Sequence, residues 1–248
     1  MDKIFKEDSI NKGVKNLAKM IKESEYTVVL TGAGMDTESN IPDFRGKDGW
    51  WENIDPIQVA SIHTFESNYP LFHEFYSMRI KTLEGVEPHK GHYVLADLEK
   101  KGLIHSIATQ NVSGLHQKAG SNNVYELHGN IRTIRCNHCN KEVKLEDFLA
   151  GENCSFCGKK ALRPNVVLFG EALPIDVWIK AEEDIKKSQL LIIIGTSLEV
   201  YPVNFLPMYA KGKIVLINNE DINANYEFDI KLIGKAGEIL KELEKYVE

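Results

Sequence analysis

Apolar residues along the chain follow two different patterns in turn. Residues 10–24 carry them at helical spacing, which predicts an amphipathic helix. Residues 26–31 form an uninterrupted run, rich in β-branched side chains, that stops at Gly32, which is typical of a buried parallel strand. The same alternation continues along the chain. Further helices are predicted over 64–82, 89–101, 174–187 and 235–246, and further strands over 103–109, 124–127, 165–169, 189–195, 213–218 and 228–233.

Strands that alternate with helices and contain few polar residues indicate an open parallel sheet with helices on both faces. Such a sheet binds its ligands at the carboxyl ends of the strands. The sequence therefore predicts an α/β, Rossmann-like fold with a ligand site along one edge. Polar and glycine-rich stretches follow the predicted strands at 32–45, 109–116, 170–171, 195–197 and 218–219.

Residues 135–163 interrupt this rhythm with charged residues and two cysteine pairs. Because the strand signal resumes after them, we interpret them as a small module inserted into a sheet domain that comprises 1–134 and 164–248. A second, helical module is expected at about 36–85, after the first glycine-rich stretch.

The four cysteines form two CxxC pairs with fourteen residues between them. Each pair can direct two thiolates at one ion, and two pairs complete a tetrahedral zinc site. Redox-active pairs or unrelated core cysteines are the alternatives, and the zinc-ribbon spacing favours a metal. Four thiolates leave no position open for substrate, so the single zinc would be structural. The predicted ligands are Cys136, Cys139, Cys154 and Cys157.

Composition and charge narrow the range of partners. The 248-residue chain has a formal net charge of −6, which disfavours broad binding to nucleic acid phosphates and suits a basic peptide better. No run of 18 apolar residues occurs and the first residues are polar, so we expect neither a membrane span nor a signal peptide. The sequence predicts a cytoplasmic protein without a specific nucleic acid or membrane partner, and we expect a monomer.

The glycine-rich turn after the first strand carries a longer motif. Glycines at 32 and 34 let the backbone approach a phosphate, although the third glycine of a dinucleotide fingerprint is missing. The continuation, GAGMDTESNIPDFR, resembles the sirtuin signature GAGxSxxSGIPDFRG. Further sirtuin-like motifs follow in the family's order: TQNVSGLHQKAG at 109–120, ELHGN at 126–130, RPNVVLFGE at 163–171, GTS at 195–197 and VYP at 200–202. The chain thus resembles the sirtuins, which are NAD-dependent protein-lysine deacylases, over about residues 10–246.

This resemblance implies that NAD lies across the carboxyl edge of the sheet. Arg45 would hold the pyrophosphate with its planar guanidinium, although a surface salt bridge is the alternative for this residue. Asn111 would be both a cofactor contact and a catalytic residue. The implied NAD contacts are Gly32, Ala33, Gly34, Asp36, Asp43, Phe44, Arg45, Gln110, Asn111, Ser113, Gly195, Thr196, Ser197 and Asn218.

His128, in the ELHGN motif, is the general base that the resemblance implies. A lone histidine beside a glycine is usually structural, but this one follows an apolar strand at the ligand-binding edge. An imidazole titrates near neutral pH and can accept a hydroxyl proton. In the implied reaction, the acyl oxygen attacks the nicotinamide ribose, nicotinamide leaves, and the base activates a ribose hydroxyl. The products are free lysine, nicotinamide and 2′-O-acyl-ADP-ribose.

By the same resemblance, an acyl-lysine peptide would add as a strand between two segments of the chain. Such backbone pairing contacts few side chains of the peptide, so the sequence does not specify the protein substrate. Acetyl-lysine is the expected modified residue. The implied contacts are Val167, Phe169, Gly170 and Glu171 on one side and Val200 on the other.

Tyr76 and Arg79 stand one helical turn apart on the second predicted helix. They resemble the pair with which one sirtuin subgroup binds the carboxylate of succinyl- or malonyl-lysine, because arginine makes bidentate contacts with carboxylates. The alternative is a tyrosine packed on the core and an arginine in solvent.

Three positions depart from the sirtuin signatures. The family's serine in the first motif is Asp36 here, and its aspartate in TQNID is Ser113. We interpret the pair as an exchange that leaves the nicotinamide pocket with the same polar groups. The alternative is that the lost aspartate weakens deacylation. Asn40 replaces a glycine, which asparagine tolerates better than most residues do.

Two other functions remain open at this point. An NAD glycohydrolase or mono-ADP-ribosyltransferase could use the same scaffold. The second function is that of a non-catalytic NAD-binding module that binds partners through its zinc ribbon. The presence of both His128 and Asn111 argues against this second function.

Overall fold

A computed structural model describes residues 3–6, 9–41 and 56–247 of the chain. Short 3-10 helices occupy Ala33–Met35, Thr37–Ser39 and Val203–Tyr209. The α-helices are α1 (Ile10–Glu23), α2 (Pro56–Val59), α3 (Ile62–Ser67), α4 (Tyr69–Thr82), α5 (Lys90–Lys100), α6 (Leu115–Lys118), α7 (Leu145–Leu149), α8 (Ile175–Lys187) and α9 (Ala236–Val247). The strands are β1 (Lys3–Lys6), β2 (Thr27–Thr31), β3 (Ser106–Thr109), β4 (Val124–Glu126), β5 (Gly129–Cys136), β6 (Glu142–Val143), β7 (Leu162–Val166), β8 (Leu190–Ile194), β9 (Lys213–Asn218) and β10 (Ile230–Ile233).

Seven strands form one parallel sheet in the order β1-β10-β9-β8-β2-β3-β4. The central strands β2 and β8 are buried along their whole length, as their uninterrupted apolar runs predict. Successive side chains of a strand enter opposite faces of the sheet. Val29 therefore packs in one core with α1, α5 and α9, while Val28 and Leu30 pack in another with α8. The predicted open parallel sheet with helices on both faces is confirmed.

A smaller antiparallel sheet, in the order β6-β5-β7, carries the cysteine pairs. It shares a third hydrophobic core with α3 and α4, which includes Phe72 of α4, Phe148 of α7 and Leu162 of β7. The strand predicted over 165–169 was placed wrongly. The observed strand, β7, spans Leu162–Val166 and pairs with β5 in the small sheet. An apolar run alone does not specify which sheet a strand joins.

Two further differences from the predicted elements have local causes. The helix predicted over 64–82 is divided at Asn68, whose side chain accepts a hydrogen bond from the Leu71 amide and caps α4. Strand β1 was not predicted, since only Phe5 of its four residues is buried and the rest look like a polar terminus. No helix within 3–6, 9–41 and 56–247 has the length and apolar character needed to cross a bilayer.

Candidate active site and metal centre

The carboxyl ends of β2, β3, β8 and β9 meet at one edge of the large sheet. Thr31, the last residue of β2, lies opposite Thr109 of β3 and Ile194 of β8. The loops that leave these strands therefore start side by side. This juxtaposition brings together the predicted residues of the first motif at 32–45, the second at 109–120 and the GTS motif at 195–197, which are far apart along the chain.

The glycine turn after β2 packs directly on the loop after β8. The Gly34 amide donates to the Gly195 carbonyl at 2.8 Å, and a Cβ on Gly34 would lie 2.9 Å from the Gly195 Cα. Gly195 itself has a φ of 61°, which L side chains rarely adopt. Glycine is needed at both positions so that the two loops can touch, and a backbone free of side chains is left for a phosphate to approach.

Gln110 and Asn111 connect three of these loops by hydrogen bonds. The Asn111 amide group donates to the Gly32 carbonyl at 2.9 Å, and the Gln110 amide group donates to the Thr196 hydroxyl at 3.0 Å. Asn111 is buried and Gln110 is half-buried. Both side chains are therefore held in place by the fold, with polar groups clustered where a dinucleotide of this fold class binds.

His128 lies at the same edge, two residues after the end of β4. Its Nδ1 donates to the Gln110 carbonyl at 3.1 Å, because a carbonyl can only accept. In the described part of the chain Nε2 has no hydrogen-bond partner. Burial lowers the pKa of His128, and the bond to Gln110 opposes this only in part. The ring is thus neutral at pH 7 with Nε2 as the available proton acceptor.

Asp36 and Ser113 are in direct contact. The Ser113 hydroxyl donates to Asp36 Oδ2 at 2.7 Å, while His92 Nε2 donates to Asp36 Oδ1 at 3.1 Å. All three side chains are buried. The Asp36 carboxylate therefore has a hydroxyl on one oxygen and an imidazole on the other.

Sequence reasoning missed a row of histidines behind this contact. The rings of His89 and His116 flank that of His92 at centroid distances of 4.3 and 5.0 Å. His116 Nε2 lies 3.1 Å from the Thr31 hydroxyl, and burial lowers the pKa of His116 to about 3. His92 and His116 each bury an Nδ1 without a partner among the described residues. Only the fold brings these rings together, so no local sequence pattern could have indicated them.

The segment predicted to bind the peptide runs beside the proposed base. The Val167 amide donates to the His128 carbonyl at 2.9 Å. Phe169 forms a short parallel bridge with Ser61, through bonds to the Ala60 carbonyl and the Ile62 amide. Phe169 and Val200 are both exposed, so each of the two proposed peptide-binding segments offers accessible apolar surface.

Tyr76 lies in the third core, and the half-buried Arg79 contacts it. Tyr76 is 2% exposed, and the Arg79 guanidinium carbon lies 5.9 Å from its ring centroid and 5.7 Å from that of Phe75. Burial lowers the pKa of Arg79, and a hydrogen bond with Tyr76 opposes the lowering. Arg79 is therefore half-buried against these rings, which contradicts the alternative of an arginine in open solvent.

The four cysteine sulfurs form a cluster in which all atoms lie within 4.8 Å of one another. Cys136 and Cys157 sulfurs are 3.6 Å apart, and those of Cys139 and Cys154 are 3.7 Å apart. A tetrahedron with Zn–S bonds of about 2.3 Å has edges of about 3.8 Å. The distances are far longer than a disulfide bond and fit one four-thiolate zinc ion.

Of the remaining predicted NAD contacts, some lie within the described residues and others do not. Ala33 is half-buried beside the glycine turn, Ser197 is exposed, and Asn218 bonds the Glu220 carbonyl at 2.9 Å. All three stand at the carboxyl edge. Asp43, Phe44 and Arg45 lie outside the described residues, so their predicted roles stay predictions.

The sequence matches the Sir2 family over residues 32–202. It is 42% identical over 228 residues to an NAD-dependent protein deacetylase of Oceanobacillus iheyensis, covering 90% of this chain and 96% of that protein. It is 43% identical over 251 residues to NAD-dependent protein deacylase 2 of Archaeoglobus fulgidus, covering 98% of this chain and 97% of that protein.

Solved structures match along nearly the whole chain. A Sir2 homologue in complex with NAD has a TM-score of 0.89 at 37% identity, covering 100% of this chain and 96% of that chain. A Sir2 variant with a deacetylated p53 peptide and 3′-O-acetyl-ADP-ribose has a TM-score of 0.88 at 35% identity, covering 94% and 97%. The likeness therefore includes both the large sheet and the cysteine module.

Proposed function

This chain belongs to the Sir2 family, and on that basis we propose that it removes acyl groups from protein lysine side chains with NAD as co-substrate. Its relatives of about 40% identity are NAD-dependent protein deacetylases and deacylases. The partners would be acyl-lysine proteins, and the cytoplasm is the proposed location.

The observation that carries this proposal is the environment of His128. Its ring is fixed by the Gln110 carbonyl through Nδ1, and burial keeps it neutral, so that Nε2 can accept a proton. Asn111 lies on the same loop as Gln110 and is held against the glycine turn. A general base thus stands next to the residues proposed to hold the sugar.

NAD would supply the ribose that receives the acyl group and nicotinamide as the leaving group. The residues that we propose to hold it are the glycine turn, Gln110, Asn111 and the loop from Gly195, with Asn218 at the adenosine end. His128 would take the proton of the ribose hydroxyl at Nε2. The peptide would pair with the backbone of 167–171 on one side and near Val200 on the other, which brings the modified lysine next to His128.

Mass spectrometry of products from NAD and a panel of acyl-lysine peptides tests this proposal. We expect one nicotinamide and one acyl-ADP-ribose for each lysine freed, with no nicotinamide released when peptide is omitted. Release of nicotinamide without peptide would instead indicate an NAD glycohydrolase or a mono-ADP-ribosyltransferase. No consumption of NAD under any condition would indicate a non-catalytic binding module.

The same panel tests whether Arg79 selects acidic acyl groups. A half-buried guanidinium that bonds the Tyr76 hydroxyl suits a carboxylate at the end of a succinyl or malonyl chain. We therefore expect Arg79→Met to lower kcat/KM for succinyl-lysine about tenfold to 100-fold and to leave acetyl-lysine within about threefold, since only the first loses a charged hydrogen bond. Lys81→Met, an exposed change on the same helix, should alter neither value. Equal succinyl activity in Arg79→Met would remove this role.

The contact between Asp36 and Ser113 supports the proposed exchange of a hydroxyl and a carboxylate. Asp36→Ser should leave His92 without its carboxylate, and Ser113→Asp should place two carboxylates about 3 Å apart in a buried site. We expect each single change to lower kcat/KM about tenfold or more, and the double change to recover most of it, a coupling of about 1 to 3 kcal/mol. Effects that simply add, measured as kcat/KM and as inhibition by nicotinamide, would show that the two positions are independent.

A further inference from the structure

Arg163 is the largest fully buried side chain among the described residues. It lies on β7, is 0% exposed, and its guanidinium carbon stands 5.6 Å from the centroid of the Phe65 ring. A buried guanidinium costs free energy unless its hydrogen bonds are made. Its bonding partners therefore show which parts of the molecule this cation holds together.

The first partner is the segment proposed to bind the peptide. Arg163 donates to both oxygens of Glu171, at 2.6 and 2.7 Å, and to the Val166 carbonyl at 2.7 Å. Glu171 Oε2 also accepts the Leu168 amide at 2.8 Å. Burial by itself would raise the pKa of Glu171, but the bonds from Arg163 and Leu168 outweigh it and lower the pKa. The turn from 168 to 171 is thus closed by one charged pair.

The second partner belongs to the cysteine module. Arg163 Nη1 donates to Asn137 Oδ1 at 3.3 Å, and Asn137 directly follows the zinc ligand Cys136. The Asn137 amide donates to the Ala161 carbonyl at 2.8 Å, and its side chain also accepts from Arg135 at 3.2 Å. The position of Asn137 therefore depends on how the first CxxC turn is folded, which the metal decides in a module of this size.

We propose that Asn137, Arg163 and Glu171 form a relay that couples zinc occupancy to binding of the acyl-lysine peptide. Arg163 and Glu171 are positioning residues in this relay, because they act through the backbone of 168–171. The relay rests on the proposed function, since the peptide is taken to pair with that backbone.

Coupling of this kind is reciprocal. If a folded zinc turn favours the peptide-binding form of 168–171, then bound peptide must hold the zinc turn closed by the same factor. The relay therefore predicts an effect on the metal that can be measured without NAD and without any turnover.

Zinc affinity is the first measurement, made by equilibrium competition with a chromogenic chelator on the full zinc-loaded chain, with and without a saturating acetyl-lysine peptide. We expect the peptide to strengthen zinc binding about fivefold or more in the unchanged chain. Asn137→Ala should abolish this effect. His138→Ala, which changes an exposed side chain in the same turn, should keep it.

Peptide affinity is the second measurement. Glu171→Gln should raise the peptide Kd about tenfold and leave NAD affinity within about twofold, because the turn loses its charged closure while the sugar site is untouched. Glu182→Gln breaks an exposed pair with Lys186 on α8 and is the matched control. This second route keeps the relay testable if Asn137→Ala does not fold.

The outcomes separate the relay from the proposed function. A chain that binds no acyl-lysine peptide would overturn both. A chain that binds and deacylates the peptide, but binds zinc equally tightly with and without it, would overturn the relay alone. Unchanged peptide Kd in Glu171→Gln would do the same.

Discussion

Replacing His128 with alanine is expected to lower kcat/KM for deacylation by about 10²-fold to 10⁴-fold, the range typical of a lost general base. The ring is held by the Gln110 carbonyl and contributes little to the hydrophobic cores, so the folded structure should persist. Mass spectrometry measures the deacylated lysine and the acyl-ADP-ribose formed. Circular dichroism checks that the variant is folded. His63→Ala, which removes an exposed imidazole on α3, should retain full activity.

The pH profile gives this prediction a second, independent form. His128 acts as a base only when neutral, and burial lowers its pKa below the ordinary value of about 6.5. Activity should therefore be level above about pH 6.5 and fall with unit slope only at lower pH, as the ring gains its proton. A fall that begins above pH 7, or His128→Ala with undiminished turnover, would assign the base to another group.

Removing the zinc is expected to unfold the small sheet and abolish peptide deacylation. The four sulfurs lie within 4.8 Å of one another, as one shared zinc ion requires, and the module has a small core that is shared with α4 through Phe72 and Phe148. Structural zinc contributes about 10 kcal/mol or more to such modules. Cys136→Ser or a strong chelator should thus lower the thermal midpoint by about 10 °C or more.

Metal analysis and thermal unfolding test this expectation together. We expect one zinc for each chain, and a loss of α4 order and of peptide affinity as the zinc leaves. A thiol reductant should change neither, because the pairs bind a metal and are not disulfides. Full stability and full activity after complete removal of the metal would show that the cysteines have another role.

Much of the candidate site follows from local sequence because its parts are short and continuous. The CxxC spacing identifies the zinc ligands, since neighbouring residues can direct two thiolates at one ion. The buried runs at 27–31 and 190–194 identify the two central strands. The order of the motifs along the chain matches that of the Sir2 family. The sirtuin resemblance proposed from those motifs is confirmed by the family match and by the relatives.

Contacts between distant segments account for what the sequence did not show. The polar strand β1 was missed because its stability comes from pairing with β10, some 225 positions away. The run at 162–166 joined the small sheet because β5 offers it an antiparallel partner. The sequence pattern around β1 or β7 does not indicate which strand will pair with it.

The sequence alone determined the fold class, the zinc ligands and the family, because each depends on residue types at fixed short spacings. Only the tertiary structure decided that Asp36 lies between Ser113 and His92, and that Arg163 connects Glu171 to Asn137. Buried charged groups need hydrogen-bond partners, and those partners come from whichever loops the sheet brings to one place. That choice is a property of the folded chain as a whole.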